Sequence, residues 1–481
     1  MQKSIKHNNN QSFIGRLKER KDLLTLAENN EASIVMIYGR RRVGKTELIE
    51  QTFRDRHLLK FEGIEDASPE VQRSLVMRKL AEYTDEPLLK NIKTDCWLDV
   101  FDYIHRYTST GIFTIYFEEV QWLASYEDNF VNELKHAWDN QFRHNPKLLL
   151  ILCGSSPSFM IKQVIRSKSL YNRSQHELHL QPFSLQETQE FLSKKSKREV
   201  MNAYLSVGGM PEYLKRLKNA SSIYMGICQL SFKSKGYFVN ECDKIFISSL
   251  SGDGQYKKVV EFLSDKRFAT REQIAVHLRM KTGGRLSDIL SELELCHFIQ
   301  KYTPYNTTPN STMARYRIAD HYLQFYFRFI KPRLAEIAAG QFEEHPNNAL
   351  TLDEYQQYLA YSFERYCQSN SHQIAKILGF SGIRYKAGSY YSRTTNAQDK
   401  GFQIDLLFDR DDHVITLCEI KYSRNKVNRT IIDEVERKLA LFPNKKKKTI
   451  QRVLISIDGV ENALISDPYF DRIITIEDLI V

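Results

Sequence analysis

The chain has 481 residues, 42% of them hydrophobic and 27% charged, which is ordinary for a soluble globular protein. Its length predicts about three domains, and the net charge of +10 favours an anionic partner such as nucleic acid. Seven scattered cysteines without a C-x-x-C pair predict reduced thiols in a cytoplasmic protein. The N-terminus lacks the apolar core of a signal peptide, and no apolar run approaches the ~18 residues of a membrane helix.

A glycine-rich loop follows an apolar segment near the N-terminus. Residues 39–46 read GRRRVGKT and fit the pattern G-x-x-x-x-G-K-[ST]. The preceding segment 33–38 (SIVMIY) predicts a buried strand, and Leu48, Ile49 and Phe53 have the spacing of a helix. Strand, glycine loop and helix form the context in which such a loop binds the phosphates of a nucleoside triphosphate.

The loop carries the side chains that this chemistry requires. Lys45 would bind the β- and γ-phosphates, and the Thr46 hydroxyl would ligate Mg²⁺. We therefore predict ATP and Mg²⁺ as cofactors. The residues predicted to contact the nucleotide are Gly39, Arg40, Arg41, Arg42, Val43, Gly44, Lys45 and Thr46.

A second apolar strand, predicted over residues 111–117 (GIFTIYF), ends in two acids. Glu118 would hold the Mg²⁺ shell, and Glu119 would act as the general base that polarises the attacking water. Aspartate is usual at the first position. The longer Glu118 side chain either reaches the metal through water or weakens the site, and two solvated acids at a strand end are the simpler alternative.

Two further residues are candidates for contacts with the γ-phosphate. The predicted strand 147–153 ends in Gly-Ser-Ser, so Ser155 would sense the phosphate, although Ser156 fits equally and either serine also suits a turn. Arg173 precedes a strand-like alternation and would stabilise transition-state charge, or else form an ordinary salt bridge.

Several motifs together resemble the archaeal-type AAA ATPase family, which is related to STAND-type ATPases. They are the lead-in FIGR (13–16), GRRRVGKT, FEEVQWL, LCGSSPSFM, SLYNR and SVGGMPEYL (206–214). The resemblance implies a P-loop ATPase core over residues 1–180. It also implies a helical lid over 181–245, and Glu118 departs from the family pattern.

The middle region, residues 246–345, predicts three amphipathic helices (256–267, 271–280 and 283–300) followed by a two-stranded hairpin. That order is typical of a winged helix. Arg279, Lys281 and Arg285 would then meet DNA near the start of the third helix, with residues 303–312 as the wing. An internal packing or switch role is an equal alternative.

The C-terminal region, residues 346–481, predicts the order α-β-β-β-α-β and begins with a long helix over 352–378. Asp405 lies on the second predicted strand, and Glu419-x-Lys421 lies on the third. This arrangement resembles the restriction-endonuclease-like PD-(D/E)xK fold. An E-x-K sequence by itself is much more often a surface ion pair, and the element order with Asp405 favours the nuclease fold.

The spacing of these residues suits metal-dependent phosphodiester cleavage. Glu419 and Lys421 stand two residues apart on a strand and face the same side, where Asp405 can join Glu419 around Mg²⁺. Lys421 would orient or deprotonate the attacking water, or neutralise developing charge. Glu364 matches the auxiliary metal ligand of such nucleases. The predicted metal ligands are Thr46 and Glu118 at the first site, and Glu364, Asp405 and Glu419 at the second.

These expectations combine into an α/β multidomain protein. It comprises an AAA-type P-loop NTPase with a helical lid, a winged helix and a restriction-endonuclease-like C-terminal domain. The first interpretation is an ATP-hydrolysing enzyme that acts on DNA, with a homo-oligomer allowed. The alternatives are a non-cleaving STAND-like switch that binds DNA or a protein, and a scaffold with weak ATPase activity.

Overall fold

The computed structural model describes residues 13–124, 129–167, 170, 174–250, 254–302, 305, 315–392 and 401–480. The chain forms two compact units. The first unit comprises Met1–Phe183, Met210–Glu212 and Asp243–Asp253, and the second comprises Ser184–Gly209, Tyr213–Cys242 and Gly254–Val481. Within the described residues, each helix is too short or too polar to cross a membrane.

The first unit is an α/β layer structure. Its strands are β1 (Ser33–Tyr38), β2 (His57–Glu62), β3 (Phe113–Glu118), β4 (Leu148–Gly154) and β5 (Ser174–His179). Its helices up to residue 183 are α1 (Leu17–Glu28), α2 (Lys45–Thr52), α3 (Pro69–Thr84), α4 (Trp97–Thr108), α5 (Val120–Leu123), α6 (Phe130–Asn140) and α7 (Pro157–Phe159), followed by a π-helical turn over Met160–Ile165.

The five strands form a parallel sheet in the order β2-β3-β4-β1-β5. β3 and β4 are buried throughout, as expected for parallel strands covered on both faces. On one face the sheet packs against a core that includes Trp97, Phe101 and Phe130. The strand predicted over residues 33–38 is confirmed with those bounds. The order places β4 between β1 and β3, so the carboxyl ends of all three strands lie side by side.

The helices and strands that follow complete the chain. The helices are α8 (Leu185–Phe191), α9 (Lys197–Val207), α10 (Pro211–Leu217), α11 (Ile223–Phe232), α12 (Glu241–Ser249), α13 (Gln255–Ser264), α14 (Arg271–Leu278), α15 (Gly284–Leu295), α16 (His321–Phe325), α17 (Leu334–Ala338), α18 (Leu352–Ser369), α19 (Ser371–Ile377), α20 (Ile431–Leu441), α21 (Asn462–Ile465) and α22 (Ile476–Leu479). The strands are β6 (Ala269–Thr270), β7 (Ile299–Tyr302), β8 (Arg315–Ile318), β9 (Tyr385–Ser392), β10 (Phe402–Arg410), β11 (Val414–Lys421), β12 (Thr449–Ser456) and β13 (Arg472–Ile474).

The middle region runs in the order α13-β6-α14-α15-β7-β8, with an antiparallel sheet of order β6-β8-β7. The helix predicted over residues 283–300 ends at Leu295, because Ile299–Tyr302 instead pairs with Arg315–Ile318. Arg279 ends α14 in a left-handed conformation with φ of 53°. The predicted wing, residues 303–312, lies outside the described residues apart from Tyr305.

The C-terminal region contains a sheet of order β13-β12-β11-β10-β9. β9, β10 and β11 pair antiparallel, and β11, β12 and β13 pair parallel. The single helix predicted over residues 352–378 is instead two helices, α18 and α19, which meet at Asn370. The Asn370 side-chain amide donates to the carbonyl of Tyr366 at 2.9 Å, and such local bonds compete with helix continuation.

Candidate functional site

The first site begins where β1 ends and the glycine loop starts. A Cβ on Gly39 would lie 2.5 Å from the carbonyl oxygen of Leu180, so a larger residue does not fit there. Gly44 has φ of 94°, a conformation that side-chain-bearing residues rarely adopt. The two glycines therefore shape the loop, and α2 begins directly after it, at Lys45.

Lys45 is buried and lies across the loop. Its Nζ donates to the carbonyl of Gly39 at 2.8 Å and to the carbonyl of Arg40 at 3.3 Å. Arg16, in the lead-in motif, donates from Nη2 to the carbonyl of Val43 at 3.0 Å and stacks over the Phe183 ring. The loop is thus held by two cations, one from within it and one from the segment that precedes α1.

Thr46, in the first turn of α2, contacts Glu118 at the carboxyl end of β3. The Thr46 hydroxyl donates to the Glu118 carboxylate, which is almost fully buried. Lys60, on β2, pairs with Glu118 at 2.6 Å and with Glu50 at 3.1 Å. Burial alone would lower the pKa of Lys60, but the two carboxylates outweigh it and the pKa is raised. A hydroxyl and a carboxylate in contact are donor types that Mg²⁺ takes, so these residues fit the ion.

Glu119 is tied to the end of β4. It adopts a left-handed backbone with φ of 52°, which is uncommon outside glycine. Its Oε2 accepts from the Ser155 backbone N–H at 3.1 Å and from Gln121 Nε2 at 2.6 Å. Gln121 Nε2 also donates to the Ser155 hydroxyl at 2.9 Å. The predicted base and the predicted sensor are therefore brought together, and Arg173 lies outside the described residues.

Two residues of this site, Lys60 and Gln121, had no role assigned from the sequence. Gln121 stands two residues after Glu119 in the FEEVQWL motif, so its proximity to the acids was a usable signal. Lys60 lies on a strand that the sequence analysis did not predict. Its contact with Glu118 follows from the pairing of β2 with β3.

The second site is a cavity of about 800 Å³ in the second unit. Glu364, Asp405, Glu419 and Lys421, which the sequence assigned to one site, all line it. Three further polar residues were not predicted and also line it: Gln403, Glu434 and Lys438. The last two are four residues apart on α20, a helical spacing that the sequence did offer.

Asp405 and Glu364 are bridged by a neutral side chain. Gln403 Nε2 donates to Glu364 Oε1 at 2.7 Å and to Asp405 Oδ1 at 3.0 Å. The other Asp405 oxygen accepts the backbone N–H of Ile420 at 3.0 Å. Burial, and then the charge of Glu364, raise the pKa of Asp405 to about 6. Arg267 approaches Glu364 at 3.4 Å.

The Glu419 carboxylate forms ion pairs with two lysines. Lys438 Nζ lies 2.8 and 2.6 Å from the two Glu419 oxygens, and Lys421 Nζ lies 3.0 Å from Oε1. Glu434 pairs with both lysines, at 2.9 Å from Lys421 and 3.2 Å from Lys438. Burial, and then the nearby Asp405, raise the pKa of Glu419. For Glu434 burial acts in the same direction, but the lysines outweigh it and lower the pKa to about 2.

The carboxylate side chains that line this cavity are ligands of the type that hard cations bind. Asp405 and Glu419 are carboxylates on adjacent strands, and Mg²⁺ is commonly held by one or two carboxylates with water and substrate phosphates. Among the described residues, no group of three or more His, Cys, Asp or Glu side chains has the arrangement needed to hold a metal ion. The residue types fit Mg²⁺, and the Glu419 oxygens are engaged by Lys438.

We expect Asp405→Asn to stabilise the fold at neutral pH. Because the folded state raises this pKa from 3.8 to about 6, the proton-linked stability is present below pH 3.8 and is lost as the pH rises through about 6. Removing the charge should raise the free energy of unfolding at pH 7 by up to about 3 kcal/mol, and by far less at pH 4. Urea unfolding at the two pH values measures this.

The matched control is Asp412→Asn. Asp412 follows the same strand, but it is exposed and its pKa is lowered by hydrogen bonding to Arg410. This variant should therefore gain no stability at pH 7. A loss of stability in Asp405→Asn at pH 7 would contradict the burial argument.

Two family matches cover most of the described fold. Residues 13–217 match a family described as "ATPase domain predominantly from Archaea". Residues 326–432 match a family described as "Archaea bacterial proteins of unknown function". An uncharacterized protein of Methanocaldococcus jannaschii is 27% identical over 415 residues, which span 85% of this chain and 87% of that protein.

One solved structure shares its fold with about two thirds of this chain. A Walker-type ATPase of Pyrococcus abyssi superimposes with a TM-score of 0.50 and 18% identity, over 66% of this chain and 96% of its own. The Aeropyrum pernix ORC2 protein covers 70% of this chain and 98% of its own at 13% identity, with a TM-score of 0.43. Residues 13–217 therefore match an archaeal-type ATPase domain, and they contain a parallel sheet of the kind typical of P-loop ATPases.

Proposed function

We propose that the first site binds ATP with Mg²⁺ and hydrolyses it. The contact between the Thr46 hydroxyl and the Glu118 carboxylate, beside the loop that Lys45 spans, carries this proposal. Lys45 and the loop amides would hold the phosphates, and Thr46 and Glu118 would hold the ion. When bound, Mg²⁺ neutralises the charge that develops on the phosphates.

Glu119 is the proposed general base. Its carboxylate is oriented by the Ser155 N–H and by Gln121, so the base depends on the end of β4. Gln121 is a positioning residue in this scheme. We also propose that Ser155 senses the γ-phosphate through this connection, and that Arg173 stabilises transition-state charge.

Two substitutions separate binding from turnover. Lys45→Ala should abolish tight ATP binding, because it removes a charge-assisted phosphate contact. Glu119→Gln should retain binding and lower turnover by about 10²- to 10⁴-fold, the usual effect of losing a general base. Calorimetry measures the binding, and phosphate release measures the turnover.

Glu118→Gln is the control for this assignment. It should weaken Mg²⁺-dependent binding, because it removes a proposed metal ligand. If turnover survives Glu119→Gln while Glu118→Gln abolishes it, the two acids have exchanged roles. Unchanged ATP affinity in Lys45→Ala would contradict the proposal that the loop of residues 39–46 binds the phosphates.

DNA is the partner that we propose, and a second copy of this chain stays a prediction. The winged-helix order α13-β6-α14-α15-β7-β8 supports the proposal. So does the exposure of Arg279, Lys281 and Arg285, which cluster between the end of α14 and the start of α15. The net charge of +10 adds a general attraction to phosphates.

We expect DNA affinity to fall steeply with salt, because counterions are released on binding. Replacing Arg279, Lys281 and Arg285 together by alanine should weaken binding and flatten the dependence on salt. A triple variant of Lys18, Arg78 and Lys90, which are exposed basic residues of the first unit, changes net charge equally and should bind normally. Fluorescence anisotropy with duplex, branched and single-stranded DNA measures this, and binding of none would favour a protein-binding switch.

A second function is proposed for the cavity, namely Mg²⁺-dependent cleavage of phosphodiester bonds in DNA. Asp405, Glu419, Lys421 and Glu364 all line it, and the order α18-α19-β9-β10-β11-α20-β12 supports a nuclease-like fold. Asp405 and Glu419 would hold the ion, with Glu364 as auxiliary ligand. Lys421 would orient the attacking water or neutralise the charge on the phosphate.

Alanine at Asp405, Glu419 or Lys421 should each abolish Mg²⁺-dependent cleavage of plasmid or branched DNA. ATP hydrolysis should remain near that of the wild type, because the two sites are built from different compact units. Cleavage that persists in all three variants would assign the activity elsewhere. A wild-type chain that binds DNA but never cleaves it would favour a non-cleaving nucleotide switch.

A further inference from the structure

Lys438 is a buried cation in the cavity that the sequence motif does not require. It lies on α20 with 6% of its surface exposed, and its Nζ contacts both oxygens of Glu419, at 2.8 and 2.6 Å. Glu419 is itself only 1% exposed. A carboxylate this deeply buried requires a partner, and here a lysine ammonium occupies both of its oxygens.

The lysine of the E-x-K sequence is placed differently. Lys421 reaches one Glu419 oxygen at 3.0 Å, its side chain is 31% exposed, and it also pairs with Glu434. The Lys421 side chain is therefore partly exposed, whereas the Lys438 side chain is buried against Glu419. The neighbouring Asp405 accepts hydrogen bonds from two neutral donors, the Gln403 side chain and the Ile420 N–H.

Glu434 offers Lys438 a second acceptor. It stands one helical turn away on α20, with its Oε1 3.2 Å from Lys438 Nζ. The lysine can thus leave Glu419 and keep an ion pair. Its flexible four-carbon stem makes such a movement inexpensive in comparison with moving a strand.

We propose that Lys438 occupies the divalent-cation position of Glu419, so that a metal ion enters the cavity only when Lys438 turns towards Glu434. Lys438 is then a positioning residue that keeps the site latent. The inference rests on the second proposed function, a cation-dependent cavity. It adds a restraint that the motif residues do not provide.

The test measures Mn²⁺ binding by electron paramagnetic resonance, using the full chain without nucleotide or DNA. Lys438→Met should raise Mn²⁺ affinity by about tenfold or more, because the apparent affinity falls with the fraction of molecules in which Lys438 still occupies Glu419. Lys438→Arg keeps a cation and should remain as weak as the wild type. Adding Glu419→Gln to Lys438→Met should remove the gained site, because it takes away the carboxylate that would bind the ion.

Lys448→Met is the matched control. Lys448 Nζ pairs with Asp409 at 2.5 Å, outside the lining of the cavity. Asp409 lies on the same strand as Asp405 and is more exposed than Glu419. The Lys448 variant thus takes a lysine from a carboxylate without changing the cavity. It should leave Mn²⁺ binding unchanged. The melting temperature of each variant, with and without Mn²⁺, shows whether it folds, and only Lys438→Met should gain stability from the ion.

Two results would overturn the inference, and they differ in what else they overturn. If the wild type binds Mn²⁺ through Glu419 as tightly as Lys438→Met does, Lys438 restrains nothing, while the metal site itself stands. If neither protein binds Mn²⁺ through Glu419, the cation-dependent cavity fails as well. Should Lys438→Met not fold, Lys438→Gln is measured in its place, because it also removes the cation but keeps a hydrogen-bond donor beside Glu419, and the same two results decide.

Discussion

Both candidate sites depend on one constraint, which is that a buried carboxylate must have a partner of opposite charge or a hydrogen-bond donor. Glu118 is held by the Thr46 hydroxyl and the Lys60 ammonium, and Glu419 is held by Lys438 and Lys421. In each case a lysine pairs with the carboxylate that we propose as a metal ligand. Under both proposals, a metal ion must therefore compete with a lysine for that carboxylate.

The topology of the first unit explains why its functional residues meet. Because β4 lies between β1 and β3, the glycine loop, the acids after β3 and Ser155 after β4 share one edge of a parallel sheet. Hydrogen bonds from Ser155 and Gln121 then fix the direction of Glu119. A change at the carboxyl end of β4 would therefore reach the proposed base through the Ser155 N–H and through Gln121, which also contacts the Ser155 hydroxyl.

The sequence predicted the local features of both sites and missed their partners. The pattern of the glycine loop and the apolar run before it located β1 and Lys45, because these signals are contiguous. The roles of Lys60 and Lys438 were not predicted, because each lysine is distant in sequence from the carboxylate that it contacts. Lys60 lies 58 positions from Glu118, and Lys438 lies 19 positions from Glu419. The predicted helix lengths were wrong where a local interaction ended a helix early. Asn370 ends α18 with its own amide, and the pairing of β7 with β8 shortens α15.

The measurement that tests the central claim most directly is a crystal structure of the chain with a non-hydrolysable ATP analogue and Mg²⁺. We expect the phosphates in the loop of residues 39–46, in contact with Lys45. We also expect the ion between the Thr46 hydroxyl and Glu118, with Lys60 displaced from that carboxylate. Nucleotide bound away from the loop, or an ion that neither Thr46 nor Glu118 approaches, would contradict the account.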